Sequence, residues 1–157
     1  MAATVDSLLN KNESDLQSYV TTLDEGDLQG LFSQMWDAIR EVKLYAGQPR
    51  NAASTEALTL SHLAFAIASH SGVEPLRAES HRMMAYVLNA DEQYDESISH
   101  YTKAIAFFEK ENTRDKAART RIGLIAALSM TGQYQTAIEE AGKADQWFLA
   151  NRDEDGH

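Results

Sequence analysis

An all-α fold, a right-handed α-α superhelix of three stacked helix pairs, is predicted by three observations: scarce turn residues, alanine-rich apolar stripes at helical spacing, and an internal period of 40 residues. Two Pro and eight Gly in 157 residues are few, because a β-rich domain of this size spends many more positions on turns. Runs such as Leu63-Ala64-Phe65-Ala66-Ile67-Ala68 keep helix propensity high and let neighbouring helices approach closely. A composition of 43% apolar and 24% charged residues fits one ordinary domain or a piece of a longer chain.

The elements follow in order. Residues 1–26 are read as an extension with a short capping helix, because Ser14-Asp15-Leu16-Gln17 has capping-box spacing and Leu16, Tyr19, Val20 and Leu23 share one face. Asp27 is expected to cap the next helix, whose stripe is Leu28, Leu31, Phe32, Met35, Ile39, Val42 and Tyr45, before Gly47 and Pro49 end it. Ser54 is expected to cap a third helix that carries Leu58, Leu60, Leu63, Phe65 and Ile67 and stops at Gly72. Pro75 suits the first turn of a fourth, with Leu76, Met83, Met84, Val87 and Leu88 on its buried face. The fifth, about 95–111, uses Ile98, Tyr101, Ile105 and Phe108, and Asn112-Thr113 marks a stop and restart. A sixth contains Ile122, Leu124, Ile125 and Leu128 and breaks at Gly132. The seventh, about 135–151, uses Ala137, Ile138, Ala141, Ala144 and Phe148; residues 152–157 form a polar tail expected to be disordered.

The period appears when the chain is laid on itself. Gln93-Tyr94-Asp95-Glu96-Ser97-Ile98 falls on Gln133-Tyr134-Gln135-Thr136-Ala137-Ile138, Ala104 on Ala144, Phe108 on Phe148, Met84 on Leu124 and Leu88 on Leu128. One period back, Glu56-Ala57-Leu58 stands where Glu96-Ser97-Ile98 stands. Three helix pairs result, about 28–72, 75–112 and 114–151, within a unit spanning 27–151. A period of this length with two helices reads as a solenoid, since a single pair cannot bury its apolar face alone.

These residues resemble the tetratricopeptide repeats. The resemblance rests on turn tyrosines Tyr94 and Tyr134, small helix-crossing residues Ala57, Ser97 and Ala137 and then Ala64, Ala104 and Ala144, and Gly132 at the tight turn. It covers about residues 28–151. Two departures are visible: Glu41, His81 and Arg121 occupy the place usually held by Trp, and the period exceeds the commonest one of about 34. Long repeats of this kind are similar to bacterial signalling arrays that precede CHAT protease or regulatory output domains, and the stretch from Ala118 to Leu128 followed by Gly132-Gln133-Tyr134 is particularly similar to them.

The resemblance implies a protein-interaction or scaffolding module whose groove is lined by the first helix of each pair. The pattern carries onto Ile39, Val42 and Ala46, then Glu79, Arg82, Tyr86 and Asn89, then Arg119, Ile122, Ala126, Ser129 and Met130. Arg82 and Arg119 can hold a carboxylate, while Tyr86 and Met130 offer adaptable apolar contact; plain solvent exposure is the competing reading of each. Tyr86 replaces the Asn that a carboxylate clamp of the chaperone-tail-binding kind places beside Arg82, which argues against such a clamp. A second possibility is a peptide- or metabolite-sensing regulatory domain controlling an attached output domain. Trp147 and Phe148, close to the last residue, point to a longer array or to self-association through the last helix.

Other chemistries find little support. Fourteen basic against 24 acidic residues give a net charge of -10, which repels a phosphate backbone. Without cysteine there are no disulfides, thiolate metal sites or cysteine nucleophiles. The eight glycines are scattered singly, so no phosphate-binding loop is expected. Of the five histidines, His62 and His70 are read as rim residues, His81 as a packed, hydrogen-bonded ring between helices, His100 as lying on an outer helix beside Tyr101 and His157 as terminal. Ser69-His70 is a sequence neighbourhood and not a triad. No enzyme, cofactor or metal is expected. The first residues lack a basic start and a long apolar run, and no stretch of about 18 apolar residues occurs, so a soluble cytoplasmic protein without membrane contact is the expectation.

Overall fold

The computed structural model describes residues 5–41, 52–111 and 113–151. Among them are eight α-helices and no strand: α1 Val5–Leu9, α2 Glu13–Val20, α3 Glu25–Glu41, α4 Ala52–Ser71, α5 Glu74–Ala90, α6 Tyr94–Lys110, α7 Arg114–Met130 and α8 Tyr134–Ala150. The period is written into the boundaries themselves. Helices α5 and α7 start 40 residues apart, as do α6 and α8, and all four are 17 residues long.

Identical turns enforce this regularity. After α5 the Gln93 N–H reaches the Leu88 carbonyl at 2.9 Å and the Glu92 N–H the Asn89 carbonyl at 3.2 Å. After α7 the corresponding bonds run from Gln133 to Leu128 at 3.0 Å and from Gly132 to Ser129 at 3.2 Å. Both are Schellman motifs, which satisfy the last carbonyls of a helix by placing one residue in the left-handed region. That residue is Gly132 at φ 78° in one repeat and Glu92 at φ 62° in the other. Glu92 adopts it against its Cβ, so the repeat geometry overrides local preference there.

Each helix from α4 to α8 packs mainly on its sequence neighbours, while α3, α5 and α7 also touch in series. The small crossing residues explain the close approach. Ala57, Ala64, Ser97 and Ala104 are fully buried, Ala137 and Ala144 nearly so. Ser97 keeps a hydroxyl where the other repeats have Ala, and it donates to the Ala85 carbonyl at 2.7 Å, so its burial leaves no orphan. Helix α5 separates two apolar cores: Met83 and Val87 belong to the cluster shared with α1 to α4, whereas Ala78 and Ala85 belong to the cluster built with α6 to α8.

Three caps differ from the expectation. Asn12, not Ser14, begins α2, its side-chain oxygen accepting the Asp15 N–H at 2.8 Å. Asp24, not Asp27, precedes α3; its Oδ1 accepts the Asp27 N–H at 2.8 Å while Asp27 Oδ2 accepts the Asp24 N–H at 3.2 Å. This reciprocal pair is a capping box with Asp in the place of Glu, one that spacing alone does not single out. Ser54 lies inside α4, which already includes Ala52. Helix α1 was also unforeseen, because only Val5 and Leu8 of its five residues are buried and so short a helix shows no period. Val42, Tyr45, Ala46, Gly47, Pro49, Asn112 and the tail 152–157 lie outside the described residues.

The last helix departs from its expected stripe as well. Only Ala137 and Ala144 of α8 are buried, whereas Ile138 is 65% exposed and Leu149 66%, because no described helix covers that side.

Candidate functional site

The face formed by α3, α5 and α7 gathers aromatic and basic side chains. Two guanidinium groups lie over the ring of Trp36 of α3, Arg40 at 5.0 Å and Arg82 at 5.4 Å from its centroid. Tyr86 of α5 meets the same indole edge-on, with ring centroids 5.8 Å apart. Helical spacing builds this arrangement: Trp36 and Arg40 are four apart on α3, as are Arg82 and Tyr86 on α5, so each couple occupies one side of its helix. The half-buried indole offers its π-face to both cations, an interaction that strengthens as water is withdrawn.

Glu79 links this face to α7. Its carboxylate receives Lys116 at 3.3 Å and Arg82 at 3.8 Å. A cavity of about 390 Å³ lies there, with Phe32, Trp36 and Pro75 as apolar walls and Arg40, Arg82 and Lys116 as cations. Arg82 therefore serves the indole and Glu79 at once, and any partner carboxylate competes with Glu79 for it.

The residues expected to line a groove are distributed as follows. Arg82 and Tyr86 meet at Trp36, and Asn89 is half-buried one turn beyond Tyr86. Arg119, Ile122 and Met130 are exposed on α7. Ser129 returns its hydroxyl to the Ile125 carbonyl at 2.8 Å, which uses its donor within its own helix. Val42 lies outside the described residues. Sequence reasoning passed over Trp36, Arg40 and Lys116. The available signal was a Trp at the edge of the α3 apolar stripe with Arg four residues later.

Two of the three positions that lack the usual Trp, His81 and Arg121, form cross-helix polar pairs in register. In the α5–α6 hairpin His81 Nδ1 meets His100 Nδ1 at 2.8 Å, and His81 also stacks edge-on against Phe65. One period later Arg121 Nε meets Glu140 Oε2 at 2.8 Å, and its Nη2 reaches Glu109 at 2.7 Å. A 2.8 Å contact between two ring nitrogens needs one donor and one acceptor, so the pair holds with at least one neutral ring. Burial first, then the neighbouring charges of His100, Lys103 and Arg77, lower the His81 pKa to about 4. Burial and Lys103 also lower His100, with Glu96 opposing. Burial pushes the Tyr101 phenol up to about 12. Turn tyrosine Tyr94 has a buried hydroxyl with no hydrogen-bond partner among the described residues, whereas Tyr134 is 64% exposed.

Among the described residues no group of three or more His, Cys, Asp or Glu is placed to hold a metal ion, and no helix is long and apolar enough to cross a membrane.

Paired 17-residue helices in a fixed period, with small residues at each crossing, define an all-α repeat array. Residues 76–144, from α5 into α8, match the family model of the tetratricopeptide repeat, which supports a tetratricopeptide repeat in that stretch. Such repeats are in general non-catalytic modules that bind proteins. No curated protein and no solved structure is significantly similar to the chain.

Proposed function

We propose that this chain is a scaffold that binds a protein or peptide partner on the face formed by α3, α5 and α7. The observation that carries this reading is Trp36 with the guanidinium groups of Arg40 and Arg82 over its ring and Tyr86 beside it, because aromatic and Arg residues beside a cavity are what interface anchors are made of. The exposed Ile122 and Met130 of α7 extend the apolar surface away from it. A peptide library displayed on phage and selected on the wild-type protein tests the reading. Selected peptides should lose at least about tenfold in affinity against Trp36→Ala, a loss of about 1.4 kcal/mol. Peptides that bind Trp36→Ala and Tyr86→Ala as tightly as wild type defeat it.

A second contact is favoured by the apolar side of α8, where Ile138, Phe148 and Leu149 are exposed and Trp147, half-buried, meets Phe148 edge-on at 5.1 Å. An uncovered face of this kind is how a stacked array receives a further repeat or a second copy. The long period and the stretch from Ala118 to Leu128 support placement in a bacterial signalling array, with an attached output domain as the regulatory form of the same reading. A cytoplasmic address accords with the absence of cysteine.

A further inference from the structure

Helices α3, α5 and α7 touch in series, but the second helices α4 and α6 share next to no contact and leave a crevice of about 680 Å³ between them. This volume falls in the range of about 300 to 1,000 Å³ usual for small-molecule sites. Its apolar walls are Leu58, Phe65, Met84 and Leu88. Glu13 from α2 and Glu96 from α6 place two carboxylates on the rim, and among the described residues neither Lys nor Arg lines it.

We propose that this crevice binds an amphipathic organic cation, an ammonium group on an aromatic or aliphatic body. Apolar walls take the body, and the rim carboxylates together with the imidazoles of His62 and His100 accept from the ammonium. His100 already spends Nδ1 on His81, which fixes its ring in the wall and leaves Nε2 as the nitrogen for a ligand. The sign of the selection comes from the rim and from the net charge of -10, both of which draw a cation and repel an anion.

The repeat supplies an internal comparison. One period on, Glu96 becomes Thr136, His62 becomes Thr102 and Phe65 becomes Ile105, so the crevice between α6 and α8 lacks these groups. The cavity of about 590 Å³ beside those helices is lined instead by Arg114, Arg121 and Lys143, with Glu109 as its one carboxylate among the described residues. One period on, His100 becomes Glu140 and Ser69 becomes Glu109, but both carboxylates are taken up by Arg121, so among the described residues the unpaired rim carboxylates over an apolar floor belong to the crevice between α4 and α6.

Tryptamine and indole-3-propionate carry opposite charge on one aromatic body and serve as probes of the full chain. Titration followed by calorimetry and by NMR of the Met84 methyl and the His62 and His100 ring protons should show tryptamine binding at least about tenfold more tightly than the acid. Glu13→Gln with Glu96→Gln should bring the two affinities together, and Ala66→Phe, which fills the crevice, should abolish tryptamine binding with the helical circular dichroism unchanged. If Ala66→Phe does not fold, the carboxylate variant decides alone. Equal affinity for the two probes, no binding of tryptamine, or shifts at Trp36 and Tyr86 with none at Met84 overturns the proposal. The site shares no residue with the face around Trp36, so either can fail without the other.

Discussion

Replacing Gly123 by alanine sets two effects of opposite sign against each other. Gly123 lies inside α7, where alanine is favoured over glycine by about 1 kcal/mol. A Cβ there, however, would sit 2.5 Å from Cζ and Oη of Tyr101 and 2.8 Å from its Cε1. Ordinary carbon contacts lie at about 3.5–4.0 Å, so the ring or the helix has to move by about 1 Å. Tyr101 is only 3% exposed and packs in the core shared by α6 and α7, so retreat disturbs the whole interface. Overpacking of this kind costs about 1–3 kcal/mol, and contact with three atoms of a buried ring belongs at the upper end. The net is a loss of about 2 kcal/mol, or about 4–8 °C in Tm for a chain of this size. Gly30→Ala and Gly142→Ala are the controls, since both glycines are helical and a Cβ at either meets nothing within 4 Å. Those two should gain up to about 2–4 °C. Thermal unfolding followed by circular dichroism reads all three. A Gly123→Ala protein that melts at or above the wild-type temperature would refute the claim that α6 and α7 approach through this glycine.

Other outcomes follow from the same geometry. Glu92→Gly should raise stability by about 0.5–1 kcal/mol, because it relieves a side chain held at positive φ in a turn that the next repeat builds with Gly132; chemical denaturation with no gain in midpoint contradicts it. Arg121→Ala should cost about 2–3 kcal/mol, since it leaves the largely buried Glu140 carboxylate without the guanidinium at 2.8 Å, and an unchanged urea midpoint would show that the pair contributes nothing. The His81 pKa lies at about 4 in the folded chain against 6.5 for a free ring, so the unfolded chain binds the proton more tightly. Stability present above about pH 6.5 is therefore lost as pH falls toward 4, by about 1–2 kcal/mol after allowance for the partial exposure of the ring. A His81→Phe protein should lose less over the same interval, and equal losses in the two proteins count against this account. If the apolar side of α8 joins two copies, the wild type is a dimer in sedimentation and Ile138→Glu with Leu149→Glu makes it a monomer; a monomeric wild type, or a dimer that persists in the variant, contradicts that contact.

Much of the architecture was legible in the sequence because the features that determine it are local or periodic. Helix stripes, the positions of Gly72, Pro75 and Gly132, and the 40-residue offset depend on spacing along the chain, and the small residues from Ala57 to Ala144 mark crossings because only small side chains let backbones approach. Caps were less legible, since Asn12, Ser14, Asp24 and Asp27 are all competent and the choice rests on where each chain segment enters its helix. His81 was read correctly as a hydrogen-bonded ring between helices, but its partner, nineteen residues away, was not named, and the salt bridge of Arg121 in the same register went unforeseen.

Composition and spacing were enough for an all-α repeat, its period and the inward faces of α2 to α6, because apolar burial at a 3.6-residue spacing leaves a chain of this composition few alternatives, whereas the apolar stripe of α8 stays largely exposed. The tertiary structure alone decided which surface residues become neighbours. Trp36 and Arg82 are 46 positions apart and meet only because α3 packs beside α5, and the crevice opens because α4 and α6 stand apart while their partners touch. Such juxtapositions depend on how helices of similar pattern are spaced and rotated in the stack, a quantity set by the sum of many packing contacts and written in no single stretch of sequence.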